Sequence, residues 1–347
     1  MDIVNKVVGG SHGSRIEWLD TVRGLAFLMV IYSHFTAFEE SVMMRYFSPV
    51  FLSSFFFVSG YLTKSGDPFT KVFEQRTRTL FVPQFIFGLL LVLSTTLFTF
   101  KEEHSPLLNR LVGLVFPYKG YDNILWFIIA LWAYSIVFYW ILRFSKSIRK
   151  LLLISCLLVI VNWLYKDVFN GPFLPYYLSY FGYGCLYMSL GYSFRKYETN
   201  SDKIIKPWMT IFAMIAYIVT ITYTQKTYSF AGGGKCVIDS LLIAILGLFI
   251  MVYLSKISLN CGGKFLLFIG ANSLLYFCFH GKVLSFLDFI AKKFLYGNGI
   301  LEHSVTTDIC VRILLTIIDA LIVIIPVIVV NKWMPWLTGK GYKLWKA

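Results

Sequence analysis

Val237-Ile-Asp239-Ser-Leu-Leu-Ile-Ala-Ile-Leu-Gly247-Leu-Phe-Ile-Met-Val-Tyr-Leu-Ser255 is a run of nineteen residues with one charged side chain. As a helix rising about 1.5 Å per residue it reaches about 28 Å, close to the ~30 Å of hydrocarbon in a bilayer. Helices in soluble cores are seldom so uniformly apolar over that length. Working outward from this block, comparable runs recur along the chain at 22–38, 47–64, 80–100, 123–143, 150–165, 173–194, 207–225, 265–287 and 309–330. The fifth is short, and the sixth contains Pro175. Composition agrees: 57% of the 347 residues are hydrophobic and 14% charged, against about 25% charged in an ordinary soluble domain. Too few polar side chains remain to cover a water-facing surface. The expected fold is all-α: a polytopic integral membrane protein of about ten transmembrane helices in a single bundle. Residues 1–347 form one transmembrane domain with a short cytoplasmic tail, 1–14. The first block follows a polar stretch and lacks a small-residue cleavage site, so it reads as a retained helix.

A net charge of +14 raises the question of nucleic acid. The basic residues form no stripe interleaved with aromatics; they recur between the hydrophobic blocks, as an orientation signal does. One side collects both termini and the loops after the second, fourth, sixth and eighth spans, with twenty Lys and Arg against nine on the other side. That side is expected to be cytoplasmic, with the chain in the plasma (inner) membrane. No nucleic-acid partner is expected, and the oligomeric state is not readable. The six cysteines are scattered without a Cys-x-x-Cys pair, so neither a disulfide framework nor a metal site is expected. Gly232-Gly-Gly-Lys235 lacks the spacing of a phosphate loop.

Chemistry-bearing residues fall into a few segments. In Arg15-Ile-Glu-Trp-Leu-Asp20-Thr-Val-Arg23-Gly-Leu, Asp20 and Arg23 are three apart and share a helix face. His34 follows Arg23 by eleven residues, roughly 16 Å along a helix, which places an imidazole within the bilayer. It reads either as a histidine hydrogen-bonded to a neighbouring helix or as part of a site. Ionisable groups are costly in hydrocarbon and mark sites or pathways, which favours the second. Phe55-Phe-Phe-Val-Ser59-Gly60 precedes Lys71-Val-Phe-Glu-Gln-Arg76-Thr-Arg78-Thr-Leu-Phe-Val-Pro83, whose arginines suit either an inner-face anchor or a phosphate ligand. Leu125-Trp126-Phe127 opens the fourth span as an interfacial aromatic would. Phe268-Ile-Gly270-Ala-Asn272-Ser273-Leu-Leu-Tyr276-Phe-Cys-Phe-His280 lies in the ninth, which runs in the same direction as the first. His34 and His280 are therefore expected at comparable depth, where both could face one cavity. Asp319, mid-span in the last helix, reads equally as a structural hydrogen-bonding group or as a cavity residue.

Taken in order, these segments and the tail Asn331-Lys-Trp-Met-Pro335-Trp-Leu-Thr-Gly339 resemble the membrane-bound acyltransferase 3 family, especially its stand-alone sugar or polysaccharide O-acetyltransferases. The likeness runs nearly end to end, and the order and spacing of the segments are specific where each alone is weak. It implies transfer of an acyl group from cytoplasmic acyl-CoA, with acetyl-CoA as donor, to a carbohydrate acceptor, either a polysaccharide or a lipid-linked sugar. It implies that His34 is the catalytic histidine and that arginines bind the donor, with Arg76 and Arg78, and also Arg23 and Arg15, at the cytoplasmic face. Asp20, Ser59, Trp126, Asn272, Ser273 and His280 are carried over as substrate-binding or supporting residues. One departure stands out: the family's Arg-x-x-Arg before the proline is here Arg76-Thr-Arg78-Thr79.

The residue chemistry is compatible. CoA phosphates need cations, and acyl transfer to a hydroxyl needs a base, which a neutral histidine supplies. A histidine can alternatively carry the acyl group covalently. Asn272, Ser273 and Ser59 are candidate donors to the carbonyl oxygen. The acyl group is acetyl or another small acyl. The rival reading is a polysaccharide or sugar transporter without acyl transfer, against which the chain shows no internal repeat of hydropathy.

Overall fold

The computed structural model describes residues 16–38, 42–98, 107–117, 125–198, 205–224, 237–260 and 263–338. No β-strand occurs among them. The helices are α1 (Glu17–His34), α2 (Val42–Phe47), α3 (Phe51–Tyr61), α4 (Phe69–Arg76), α5 (Val82–Phe98), α6 (Leu107–Val115) and α7 (Trp126–Ser145). They continue with α8 (Ile148–Trp163), α9 (Phe181–Lys196), α10 (Pro207–Thr224), α11 (Val237–Asn260), α12 (Lys264–Ala271), α13 (Ser273–Ile290) and α14 (Val305–Trp333). Among the described residues, eight helical stretches are long and apolar enough to cross a membrane. Apolar side chains cover much of their outer faces, as on α10, where Ile211, Phe212, Ile215 and Val219 are all exposed. In water such a surface would aggregate; against lipid it is the stable one. The fold is a polytopic all-α membrane protein.

Three expected spans take a different form. The third begins at Phe69 rather than near 80, because α4 runs into α5 through a π-helical turn, Thr77–Phe81. Pro83 explains the widened turn: it has no N–H for the Thr79 carbonyl, and its ring crowds that carbonyl in a regular helix. The Val82 N–H instead reaches back five residues to Thr77. In the sixth, Tyr176 and Tyr177 both have left-handed backbones (φ 56° and 59°), so a regular helix starts only at Phe181. The ninth is broken at Asn272 into α12 and α13. The first, α1, carries Glu17, Asp20 and Arg23 within its 18 residues and is correspondingly less apolar.

The chain divides into two compact units, residues 1–58 with 194–328 and residues 59–193 with 329–347. In the first, α1 packs on α12, α11 and α13, and α10 on α11. The α1–α12 contact is made at backbone distance. A Cβ on Gly24 would overlap the Leu266 carbonyl, and one on Gly270 the Asp20 carbonyl. Small residues at such crossings let helices associate through van der Waals contact where lipid removes the hydrophobic drive. In the second unit, α7 packs on α4, on the π turn and on α8, and α5 on α6. Buried Tyr134, Phe138, Tyr139, Tyr183 and Tyr187 form its core. Gly182 N–H donates to Asn162 Oδ1, joining α9 to α8.

Candidate active site

His34 is the last residue of α1. Its Nδ1 lies 2.7 Å from the Val30 carbonyl one turn back. A carbonyl only accepts, so Nδ1 carries a proton, and in the neutral ring the lone pair lies on Nε2. His280 repeats the arrangement, with Nδ1 2.9 Å from the Tyr276 carbonyl. The two rings are 5.9 Å apart between centroids and nearly perpendicular at 82°. The two imidazoles are therefore neighbours. The two imidazoles differ in access: the His34 residue is exposed, whereas His280 is 5% exposed and packs edge-on against Phe27 at 5.2 Å. Phe27 also meets Tyr276 and Phe277, so one aromatic of α1 aligns the helix that carries His280.

At the opposite end of α1, Arg23 Nη1 donates to Asp20 Oδ1 at 2.8 Å. Asp20 is 3% exposed in the first helical turn, where the helix dipole favours a carboxylate. Asp20 thus both pairs with Arg23 and sits under the Gly270 crossing. Arg15 lies outside the described residues.

Asn272 closes α12 and opens α13. Its backbone N–H reaches the Phe268 and Ile269 carbonyls, and its side-chain amide donates to Phe268 O at 2.9 Å. That amide, a candidate donor to a substrate carbonyl, therefore serves the helix joint. Ser273 is half-buried in the first turn of α13.

The remaining expected residues belong to the second unit. Arg76, at the end of α4, directs Nη2 to the Ser59 carbonyl and to Thr63 Oγ1, both at 3.4 Å. The Ser59-Gly60 step and the basic segment, seventeen residues apart, thus converge locally. Ser59 Oγ is 3.3 Å from Ser135 Oγ, and Gly60 lies against the Met188 carbonyl. Arg78 sits in the π turn, a distortion that recurs at functional sites. Trp132 Nε1 holds that turn by donating to Thr77 Oγ1 at 3.1 Å. Trp126 opens α7 with its ring 4.5 Å from that of Tyr177.

Two residues that the motifs did not single out stand beside His34. Asp288 of α13 accepts from Thr36 N at 3.0 Å, Thr36 Oγ1 at 2.6 Å and Ala37 N at 2.7 Å. Arg312 of α14 donates Nη2 to Phe35 O at 3.1 Å. Asp319, also on α14, is fully buried with neither carboxylate oxygen hydrogen-bonded.

A polytopic helical membrane protein in which two facing imidazoles each bond Nδ1 to their own helix is equipped for proton transfer or nucleophilic attack through Nε2. Comparison with known proteins specifies the class of reaction. A family model described as an acyltransferase domain matches residues 16–331, and the chain belongs to this acyltransferase 3 family. It is a membrane acyltransferase, as the resemblance of its motifs implied. No curated protein and no solved structure matches the chain.

Proposed function

We propose that this protein moves an acetyl group from acetyl-CoA to a hydroxyl of a cell-surface polysaccharide or its lipid-linked precursor, with His34 as the catalytic imidazole. The observation that carries the assignment is the His34 Nδ1–Val30 bond, which in the neutral ring puts the lone pair on Nε2 of an exposed residue. Such a nitrogen takes the acceptor hydroxyl proton as its oxygen attacks the thioester carbonyl. The C–S bond then breaks and the proton passes to the departing CoA sulfur. The same nitrogen can instead take the acyl group first and hand it to the hydroxyl. Arg76 and Arg78 supply guanidinium forks for the CoA phosphates, with Arg23 and Arg15 as further cations and Asp20 orienting Arg23. His280 supports His34 across the ring contact, and Ser59, Trp126, Asn272 and Ser273 act as substrate-binding or supporting residues. The charge asymmetry of the loops supports a plasma-membrane setting with both termini in the cytoplasm.

The test is transfer of radiolabel from acetyl-CoA to carbohydrate by the purified protein in liposomes. His34→Ala is expected to lose about 10²–10⁴-fold in turnover, the range of a general acid–base group. Label transfer by that variant at the wild-type rate would remove His34 from the chemistry.

A further inference from the structure

We propose that Asp288 and Arg312 are positioning residues that set the His34 imidazole by clamping the turn that follows it. The inference rests on the catalytic assignment of His34 and extends it to a part of the site that no motif covers.

His34 occupies an awkward place for a group that has to be held still. It ends α1, and Phe35 is already extended (φ −68°, ψ 126°). The last carbonyls of a helix have no partners within it, and last turns fray unless something outside holds them. No glycine closes this helix end in the usual left-handed cap. Yet the ring depends on that last turn, since its Nδ1 partner is Val30 O four residues back. If the turn opened, the tautomer and the aim of Nε2 would be lost together.

The next residues are fixed instead by ionic side chains from two helices distant in sequence. Arg312 takes the Phe35 carbonyl, and its guanidinium lies over the Tyr32 ring at 5.2 Å and the Phe38 ring at 4.9 Å. It therefore grips α1 and the segment beyond it on both sides of His34. Asp288 takes the next two backbone N–H groups, of Thr36 and Ala37, on one carboxylate oxygen and the Thr36 hydroxyl on the other. Lys292 completes the arrangement, 3.0 Å from Asp288 Oδ2 and 2.8 Å from Thr36 Oγ1. The backbone of residues 35, 36 and 37 is bonded in succession, by donor, acceptor and acceptor.

The chemistry of the clamp is out of proportion to a simple chain reversal. Asp288 is 7% exposed and Arg312 is 3% exposed, both on membrane-length helices. Ionic groups there are costly, Arg312 leaving its buried Nε without a hydrogen bond, and a glycine cap would end the helix without them. What the charged pair adds is stiffness: charge-assisted bonds to consecutive backbone groups leave little freedom next to the ring. Misplacement of a reacting group by about 1 Å, caused by a mutation away from the chemistry, can cost about 10²-fold in rate. A stiff turn guards against that.

The experiment compares Asp288→Asn and Arg312→Lys with wild type in liposomes, measuring kcat and KM for acetyl-CoA. It also measures thermal unfolding and the rate at which diethyl pyrocarbonate modifies His34, followed by mass spectrometry. The expected result is a fall in kcat of about 10–100-fold with KM for acetyl-CoA unchanged and a several-fold change in His34 modification rate. Wild-type kcat together with a wild-type modification rate in both variants overturns the clamp. Where either variant fails to accumulate, Thr36→Val carries the test. It deletes two clamp bonds, Thr36 Oγ1 to Asp288 and Lys292 Nζ to Thr36 Oγ1, on an exposed residue, and the same split between kcat and KM is expected. A normal kcat and modification rate there again overturns the proposal. Should His34→Ala itself prove active while the modification rate still responds to Asp288→Asn, the clamp stands and the catalytic reading falls.

Discussion

At the scale of single residues, the sequence pointed to His34 and His280 because an imidazole in an apolar helix is conspicuous, and the structure places their rings together. Asp288 and Arg312 were less visible for a definite reason. Their partners at Phe35, Thr36 and Ala37 lie about 250 to 280 positions away, and no local pattern announces a bond to a distant backbone. His34→Gln is expected to lower acyl transfer by about 10²–10⁴-fold while leaving thermal unfolding within about 0.5 kcal/mol of wild type, as substitutions at exposed positions usually do. Circular-dichroism melting alongside the radiolabel assay checks both halves. Asp319 allows a prediction of opposite sign. Its carboxylate is buried without a hydrogen-bond partner, and an unsatisfied buried polar group costs about 1–3 kcal/mol. Asp319→Leu is therefore expected to raise the melting temperature of the detergent-solubilised protein; a lower one would reveal a partner for that group.

At the scale of elements, the α1–α12 crossing decides most. Glycines 24 and 270 stand in two separate motifs of the sequence, which does not say that they meet. Only the contact shows that Gly24 meets the Leu266 carbonyl and Gly270 the Asp20 carbonyl. Gly270→Ala forces the helices apart and is expected to destabilise the protein by about 1–3 kcal/mol, the usual cost of overpacking. It should also disturb the Asp20–Arg23 pair. Gly66→Ala, with nothing near its added methyl, is expected to be neutral, and a side-by-side thermal melt distinguishes the two. The break at Asn272 belongs to the same scale. A hydropathy profile sees one apolar run across 265–287, because a lone Asn barely interrupts it. The chain divides there as the Asn272 amide turns back onto Phe268 O and α12 is committed to α1.

At the scale of the molecule, length and charge carry the argument. Helices of membrane length with apolar outer faces require a bilayer, and Lys and Arg gather on alternate loops. The proposed orientation predicts that a fluorescent reporter fused to the C-terminus matures in the cytoplasm, whereas an alkaline phosphatase fusion there is inactive. Active phosphatase would reverse the assignment of sides.

What the sequence determined alone is everything that depends on composition along the chain: the membrane environment, the helical class, the charge bias of the loops and the ordered motifs of an acyltransferase. Each follows from the one-dimensional pattern, since a helix satisfies its own backbone bonds and needs only length and apolarity to cross a membrane. Tertiary structure alone decided which helix meets α1 at its glycines and that two buried charges fasten the turn beyond the His34 ring. Those are relations between positions far apart in the chain, and packing chooses among partners that sequence leaves equivalent.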